Sequence, residues 1–347
     1  MNRIIIQAGA VAATVLACFL VVLTFEAPPI EPIQRGYRGL GMVEMVNPRT
    51  FEGTLVSNKL PEVTPPLSPS GKKASEVYQN VKVMGDMDSD AFIRFMTDMT
   101  NWVSPQQGCA YCHKEGEDLS ADTLYTKIVA RRMIEMNRHI NASWKPHVAD
   151  TGVTCYTCHR GQPVPANVWF TSPGSPVNAS EQNLPVEAVG LTSLPYDPFT
   201  PFLKEDKEIR VISPTALPAG NTKSIKQTEG TYALMMSMSK SLGVNCTFCH
   251  NSRSFSAWDQ SSPQRATTWH GIRMLRDLNI NYLDSLKASF PAERLGPLGD
   301  VPKANCATCH QGAYKPLYGA SMLKDYPELA GPDPAPTTAP PAPPRTQ

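Results

Sequence analysis

Four copies of the pattern C-x-x-C-H constrain this chain more than any other feature. They span Cys109–His113, Cys155–His159, Cys246–His250 and Cys306–His310, and they use eight of the nine cysteines. In c-type attachment two cysteines bind the vinyl groups of a haem and the histidine that follows presents a ring nitrogen to the iron. The sequence therefore predicts four covalently bound haem c groups, whose apolar discs would replace part of the side-chain core.

Each motif predicts three ligating side chains. The proximal iron ligands are expected to be His113, His159, His250 and His310. The thioether sulfurs are expected to belong to Cys109, Cys112, Cys155, Cys158, Cys246, Cys249, Cys306 and Cys309.

Two other uses of paired cysteines fit this pattern less well. A zinc site needs two C-x-x-C pairs that converge on one ion, and it gives no reason for a histidine after every second cysteine. A redox-active dithiol of the thioredoxin type is expected within a βαβ unit, which the sequence pattern lacks. The formal net charge of +1 offers no polycationic surface, so no nucleic-acid partner is expected.

Composition and periodicity indicate a mainly α fold with long loops. The 33 prolines argue against a central sheet and against long uninterrupted helices. Helical periodicity predicts helices over 88–103, 124–140 and 231–244, each close to a motif. The motifs fall into two halves of two, which indicates an internal repeat. The expected segments are a membrane anchor (1–25), an extended lead-in (26–75), a first di-haem half (76–165), a connecting segment (166–225), a second di-haem half (226–330) and a disordered proline-rich tail (331–347).

The N-terminus carries an uncharged run of 22 residues, from Ile4 to Phe25. As a helix this run is about 33 Å long, enough to cross a hydrocarbon core of roughly 30 Å. Arg3 in front of it favours a cytoplasmic N-terminus and an exported remainder. The sequence therefore predicts one transmembrane helix. A cleaved signal peptide and a lipid anchor at Cys18, in VLAC, are the alternatives.

The histidine count limits the second axial ligands. Only His139, His147 and His270 remain beyond the four motif histidines, so at least one iron needs a different ligand or an open position. Methionine is the usual partner in c-type cytochromes, and the chain has 14. Periodicity does not choose between neighbours on one helix, and the candidates are Met96 or Met99, Met133 or Met136, and Met235, Met236 or Met238.

Longer stretches of the chain resemble a known family. GYRGLGM, ASEVYQNV, NWVSPQQGCAYCH, WKPHVADTGVTCYTCHRG, LPYDPFTPFL, LGVNCTFCHN and CHQGAYKPLYGA, spread over roughly 36–330, are similar to the tetrahaem cytochrome c subunit of purple-bacterial photosynthetic reaction centres. The resemblance implies a mainly helical multihaem cytochrome c on the periplasmic side of the membrane. Its two pseudo-symmetric di-haem halves would be arranged in a line.

The resemblance also implies the distal ligands. It assigns Met96, Met133 and Met235 to the first three haem groups and His147, which precedes motif 2, to the fourth. The alternative for the fourth is Met274, in the helix expected before motif 4. His139 and His270 are given no role.

The implied function is electron transfer without catalysis. A soluble cytochrome c or a high-potential iron–sulfur protein would be the donor. The acceptor would be the photo-oxidised bacteriochlorophyll pair held by the L and M subunits, with the H subunit and light-harvesting proteins nearby. A membrane-anchored tetrahaem quinol dehydrogenase and a multihaem reductase are the alternatives, although the shortage of histidines disfavours the first and six-coordinate irons would disfavour the second.

Overall fold

The chain is mainly helical in a computed structural model that describes residues 2–25, 29–35, 42–172, 194–195, 197–212 and 223–331. The GYRGLGM stretch lies, except for its last residue, outside the described residues, as do most of the connecting segment and the tail from residue 332 on. The expectation of a disordered tail therefore stays a prediction.

Ten α-helices occur in the described part of the chain. The first is long and apolar and the others are distributed around the four motifs. Their bounds are α1 Asn2–Leu23, α2 Thr50–Ser57, α3 Ala74–Val77, α4 Ser89–Val103, α5 Tyr125–Ser143, α6 Lys145–Val148, α7 Cys155–His159, α8 Ile225–Leu242, α9 Pro263–Asp277 and α10 Cys306–His310.

Shorter helical turns connect these helices. The 3-10 turns are Gly108–Tyr111, Cys246–Phe248, Asp284–Leu286, Ala292–Arg294, Pro316–Gly319, Leu323–Asp325 and Pro327–Ala330. The π-helical turns are Thr200–Lys204 and Leu278–Leu283. The second of these directly continues α9.

Helix α1 is long and apolar enough to cross a membrane, over Arg3–Leu23, and no part of its apolar window is buried in the protein. The helix ends at Leu23, two residues before the apolar run ends at Phe25. Cys18 lies inside the helix and is exposed. An apolar helix of this length without a protein partner is suited to a membrane.

The segment 26–75, expected to be an extended lead-in, also contains regular structure. Strands β1 (Glu31–Arg35) and β2 (Met42–Val46) pair antiparallel, and α2 follows them. The buried Asn58, just after α2, donates to the carbonyl oxygen of Gln311 at 3.2 Å and accepts from the amide of Leu317 at 3.0 Å. These two hydrogen bonds connect the lead-in to the region of motif 4.

The helix expected over 88–103 is confirmed as α4. Its side-chain cap is Asp88, whose carboxylate accepts from the amides of Asp90 (3.0 Å) and Ala91 (3.4 Å), as an N-cap residue does. Phe95 and Trp102 lie on one face of α4 and are buried in the first of three apolar clusters. The helices expected over 124–140 and 231–244 are confirmed as α5 and α8.

Three buried apolar clusters lie between these helices. The first includes Phe95, Trp102, Ile134 and Tyr326, and so joins α4 to the C-terminal turns. The second packs α8 against α9 and the turn Thr200–Lys204. The third joins α5 to α9 through Ile140, Trp144, Met274 and Leu278. Motif 2 packs against the first cluster through Cys155 and Tyr156, and motif 4 packs against the second through Cys306.

Candidate haem-binding site

Motifs 2 and 4 fold as short helices with matching ends. The amide of Thr154 donates to the hydroxyl of Thr157 at 2.9 Å, and the amide of Asn305 donates likewise to Thr308 at 3.0 Å. Each helix ends at its histidine, the next residue, Arg160 or Gln311, is in the left-handed conformation, and a glycine follows. One turn of helix thus carries both cysteines and the histidine of each motif.

Motifs 1 and 3 fold instead as 3-10 turns. The turns are Gly108–Tyr111 and Cys246–Phe248, and in each motif the second cysteine lies near a threonine hydroxyl of the following helix. Cys249 Sγ is 3.8 Å from the Thr268 hydroxyl, and the Thr126 side chain hydrogen-bonds Cys112. Motif 1 therefore resembles motif 3 in conformation, and motif 2 resembles motif 4.

All four motif histidines make the same hydrogen bond with Nδ1. Because a carbonyl oxygen only accepts, Nδ1 carries the proton in each ring and the lone pair of Nε2 remains available. A histidine that binds a metal commonly donates its other ring N–H in this way. The donors and their acceptor residues are His113 to Leu119 (2.9 Å), His159 to Gln162 (2.8 Å), His250 to Phe255 (2.8 Å) and His310 to Ala313 (3.0 Å).

A fifth histidine, His147, has the same arrangement. Its Nδ1 donates to the carbonyl oxygen of Thr267 in α9 at 2.9 Å, and its ring centre is 6.1 Å from that of His310. Since metal–nitrogen bonds are about 2 Å long, two imidazoles on opposite sides of one metal have ring centres roughly 6 Å apart. Burial lowers the pKa of both rings, and that of His310 falls to about 4, so both rings are neutral at neutral pH.

The two remaining histidines differ from these five. His139 uses Nε2 to pair with Asp277 Oδ2 at 2.6 Å, and Trp144 Nε1 donates to the same oxygen at 2.9 Å. Within the described residues the buried Nδ1 of His270 has no hydrogen-bond partner. Among the described residues, neither ring shows the Nδ1 bond to a carbonyl oxygen that the other five histidines make.

A largely apolar cavity of about 740 Å³ brings several predicted site residues together. An apolar lining with a few polar groups is typical of cofactor sites. The predicted site residues that line the cavity are Cys112, Met133, His147, Cys155, Cys158, His159, Cys306, Cys309 and His310. The lining does not include Met96, Cys109, His113, Met235, Cys246, Cys249 or His250.

Burial keeps four of the motif cysteines, Cys112, Cys155, Cys249 and Cys306, as neutral thiols. Burial raises the pKa of Cys155 and of Cys306 to about 12, whereas redox-active and zinc-binding cysteines need a lowered pKa. Cys158 and Cys309, the second cysteines of motifs 2 and 4, form a disulfide, which the C-x-x-C-H pattern does not predict. One sulfur atom cannot form both a disulfide and a thioether bond, so haem attachment at these two positions requires the free thiols.

The predicted methionine ligands lie on the expected helices, and all three are partly buried. Met96 of α4 packs against the cluster that also receives Cys155, and Met235 of α8 packs against the cluster that receives Cys306. Met133 of α5 lines the cavity. The alternative ligand Met274 is buried in α9 and lines the same cavity.

Sequence reasoning missed the side chain that joins motifs 2 and 4. The Arg160 guanidinium donates to the carbonyl oxygens of Ser57 (2.7 Å), Thr157 (3.0 Å) and Cys309 (3.0 Å). Burial lowers its pKa to about 10, which keeps it charged at neutral pH. The sequence does indicate that motifs 2 and 4 are a pair, because the extended pattern C-x-x-C-H-x-G occurs in these two motifs and not in motifs 1 and 3.

Comparisons with known proteins agree with this chemistry. The sequence family described as the photosynthetic reaction centre cytochrome C subunit matches residues 26–330. The photosynthetic reaction center cytochrome c subunit of Rubrivivax gelatinosus (strain NBRC 100245 / IL144) is 54% identical over 321 residues, covering 90% of this chain and 86% of the relative. Proteins of the same name from Thermochromatium tepidum and Roseobacter denitrificans (strain ATCC 33942 / OCh 114) are 49% and 40% identical, covering 91% and 93% of this chain and 79% and 91% of the relatives.

Proposed function

Because the chain belongs to the family of photosynthetic reaction centre cytochrome c subunits, we propose that it carries electrons to the photo-oxidised bacteriochlorophyll pair of a reaction centre. Its donor would be a soluble cytochrome c or a high-potential iron–sulfur protein on the periplasmic side. The observation that carries the proposal is the common Nδ1 hydrogen bond of the four motif histidines, which leaves four Nε2 atoms free to bind iron.

The residues fit four covalently bound haem c groups. Each motif supplies two cysteines and one neutral histidine, and the buried thiols of Cys155 and Cys306 adjoin apolar side chains rather than cations. When bound, these groups supply a reversible one-electron couple whose potential depends on axial ligands, burial and hydrogen bonds. With both axial positions held by side chains, the protein would be an electron carrier and not an enzyme.

We assign the distal ligands as the family resemblance implies. Met96, Met133 and Met235 would serve motifs 1, 2 and 3, and the partly buried positions of all three side chains on α4, α5 and α8 support this. His147 would serve motif 4 in preference to Met274, because its ring faces His310 at a suitable separation and has a fixed tautomer. His147 comes from the first half of the chain, so this ligand would tie the two halves together.

The four motifs would lie in the order 1, 2, 4, 3. Motifs 2 and 4 are adjacent, since the Cα atoms of Cys158 and Cys309 are 4.3 Å apart and Arg160 bridges both motifs. Cys112 of motif 1 lines the cavity that motifs 2 and 4 also line, whereas motif 3 reaches it through Phe248 and not through its cysteines. Electron transfer over short steps would then use motifs 2 and 4 as the central pair.

The two halves would be related by pseudo-symmetry. The amide of Gly161, after motif 2, donates to the carbonyl oxygen of Trp102 near the end of α4 at 2.8 Å. The amide of Gly312, after motif 4, donates to Ser241 near the end of α8, also at 2.8 Å. Together with the matched motif conformations, these bonds support two equivalent di-haem halves.

The protein would lie on the periplasmic side of the photosynthetic membrane, held by α1. Cys18 has five further helical residues after it, all apolar, which favours a retained helix over a lipid anchor at that cysteine. The L and M subunits would be the docking partners on the membrane side, with the H subunit and light-harvesting proteins nearby.

Flash spectroscopy on membranes that contain the protein tests the proposed function. A short flash should be followed by oxidation of the cytochrome α-band while the bacteriochlorophyll pair recovers on the same time course. Chemical oxidation of the cytochrome beforehand should slow that recovery. Recovery at the same rate with reduced and with oxidised cytochrome would refute the proposal.

A further inference from the structure

The ring of His147 occupies the place that a side chain at position 271 would take. Helix α6, which carries His147, packs against α9, and the His147 ring lies directly on the backbone of Gly271. A Cβ atom at position 271 would be 2.5 Å from His147 Cε1, 2.8 Å from Nδ1 and 3.2 Å from Nε2. Separations below about 3 Å are not tolerated between carbon atoms whose contact optimum is about 3.5–4.0 Å.

The ring has little freedom to avoid such a clash. Its Nδ1 is bound to the carbonyl oxygen of Thr267, one turn before Gly271 on the same helix. Its other side faces His310 across 6.1 Å. Any shift of the ring away from α9 therefore breaks the Thr267 bond or moves Nε2 out of line with His310.

A second possible ligand lies one turn away on the same helix. Met274 is three residues after Gly271, so both lie on one face of α9. Its side chain is buried and lines the cavity that His147 and His310 also line. One cavity thus holds an imidazole from α6 and a thioether from α9.

We propose that Gly271 selects the distal ligand at motif 4. Without a side chain at position 271, His147 reaches the site and Met274 remains a packing residue. With a side chain there, His147 is displaced and Met274 becomes the ligand. Gly271 is thus a positioning residue that sets the ligand pair, and so the potential, at motif 4. The inference rests on the proposed function, in which His147 is the distal ligand of motif 4.

The test compares Gly271→Ala with Gly230→Ala in the full-length holoprotein. Gly230 lies in α8, where a Cβ would be no closer than 3.8 Å to the Phe202 ring, and alanine favours both helices equally. Gly271→Ala should remove the bis-histidine signal from the EPR spectrum, raise one midpoint potential and increase the methionine–iron absorption band by roughly one third, from three such ligands to four. Gly230→Ala should change none of these. An unaltered bis-histidine signal and potential in Gly271→Ala would overturn the inference.

A His147→Ala variant separates this inference from the proposed function. If the bis-histidine signal survives in His147→Ala, the assignment of His147 as a ligand fails. If His147→Ala removes the signal and Gly271→Ala leaves it, only the role of Gly271 fails.

If Gly271→Ala does not accumulate, the double variant His147→Ala/Gly271→Ala tests whether the clash with His147 is the reason. With the imidazole removed, the added Cβ should fit, so His147→Ala/Gly271→Ala should accumulate and melt no lower than His147→Ala. A double variant as impaired as Gly271→Ala alone would show that the clash is not with His147, and would overturn the inference.

Discussion

Replacing Tyr326 by phenylalanine should destabilise the protein through a single buried hydrogen bond. The hydroxyl of Tyr326 donates to Asp98 Oδ2 at 2.6 Å, and the two residues are only 2% and 1% exposed. Burial and the bond to Asp98 raise the pKa of Tyr326, so the hydroxyl remains a donor. Phenylalanine keeps the edge-on contact with Trp102, whose ring centre is 4.6 Å away, so the loss is confined to the hydrogen bond.

The expected loss follows from the partners that Asp98 keeps. The Thr64 hydroxyl still donates to Asp98 Oδ1, and Arg94 Nε lies 3.9 Å from Asp98 Oδ2. A hydrogen bond to a charged group contributes about 1.5–3 kcal/mol, so a loss of about 2 kcal/mol is expected. At about 2–4 °C per kcal/mol this corresponds to a fall of roughly 4–8 °C in Tm.

Thermal unfolding of the oxidised holoprotein, followed by circular dichroism, measures this loss. Tyr318→Phe is the matched control, because Tyr318 is 54% exposed and its replacement should cost less than about 0.5 kcal/mol. Equal Tm values for Tyr326→Phe and Tyr318→Phe would refute the reasoning.

Three further predictions concern a ligand, a contact between the halves and the anchor. Met96→Leu should lower one midpoint potential and leave the others nearly unchanged in a redox titration. The control Met45→Leu, on the exposed face of β2, should change no midpoint potential. An unaltered titration in Met96→Leu would show that Met96 is not an iron ligand. Burial alone would raise the pKa of Asp277, but hydrogen bonds from His139, Asn281 and Trp144 lower it. The pKa of Asp277 is lower in the folded protein than in the unfolded protein, where it is about 3.9, so the ionised carboxylate stabilises the fold above that pH. This stabilisation is lost as the pH falls through the folded-state pKa. Asp277→Asn should therefore be less stable than the wild type at pH 7 and approach it below about pH 4 in unfolding experiments, and a pH-independent difference would contradict this. Replacing residues 1–25 by a cleavable export signal should give a soluble holoprotein on fractionation, and a soluble product without haem would contradict it.

The sequence was sufficient for the features that depend on local pattern. The stripe of apolar residues in α4 and its Asp88 cap are local features, and the helix begins at Ser89, one residue after the start expected at position 88. The C-x-x-C-H spacing is local too, and it identified the cofactor chemistry without a structure.

Features that depend on contacts between distant segments were beyond the sequence pattern. The approach of Cys158 to Cys309 joins residues 151 positions apart, and Arg160 reaches the lead-in and motif 4 from motif 2. The place of α9 before motif 4 made Met274 the alternative ligand in the sequence analysis. The close approach of the His147 ring to Gly271 of α9 is such a contact, and periodicity does not predict it.

The mass of the purified, unreduced holoprotein tests the central claim most directly. We predict a polypeptide that carries four haem groups, with Cys18 as the single cysteine that an alkylating reagent can modify after denaturation and reduction. A product with fewer haem groups, in which reduction releases the thiols of Cys158 and Cys309 for alkylation, would contradict it.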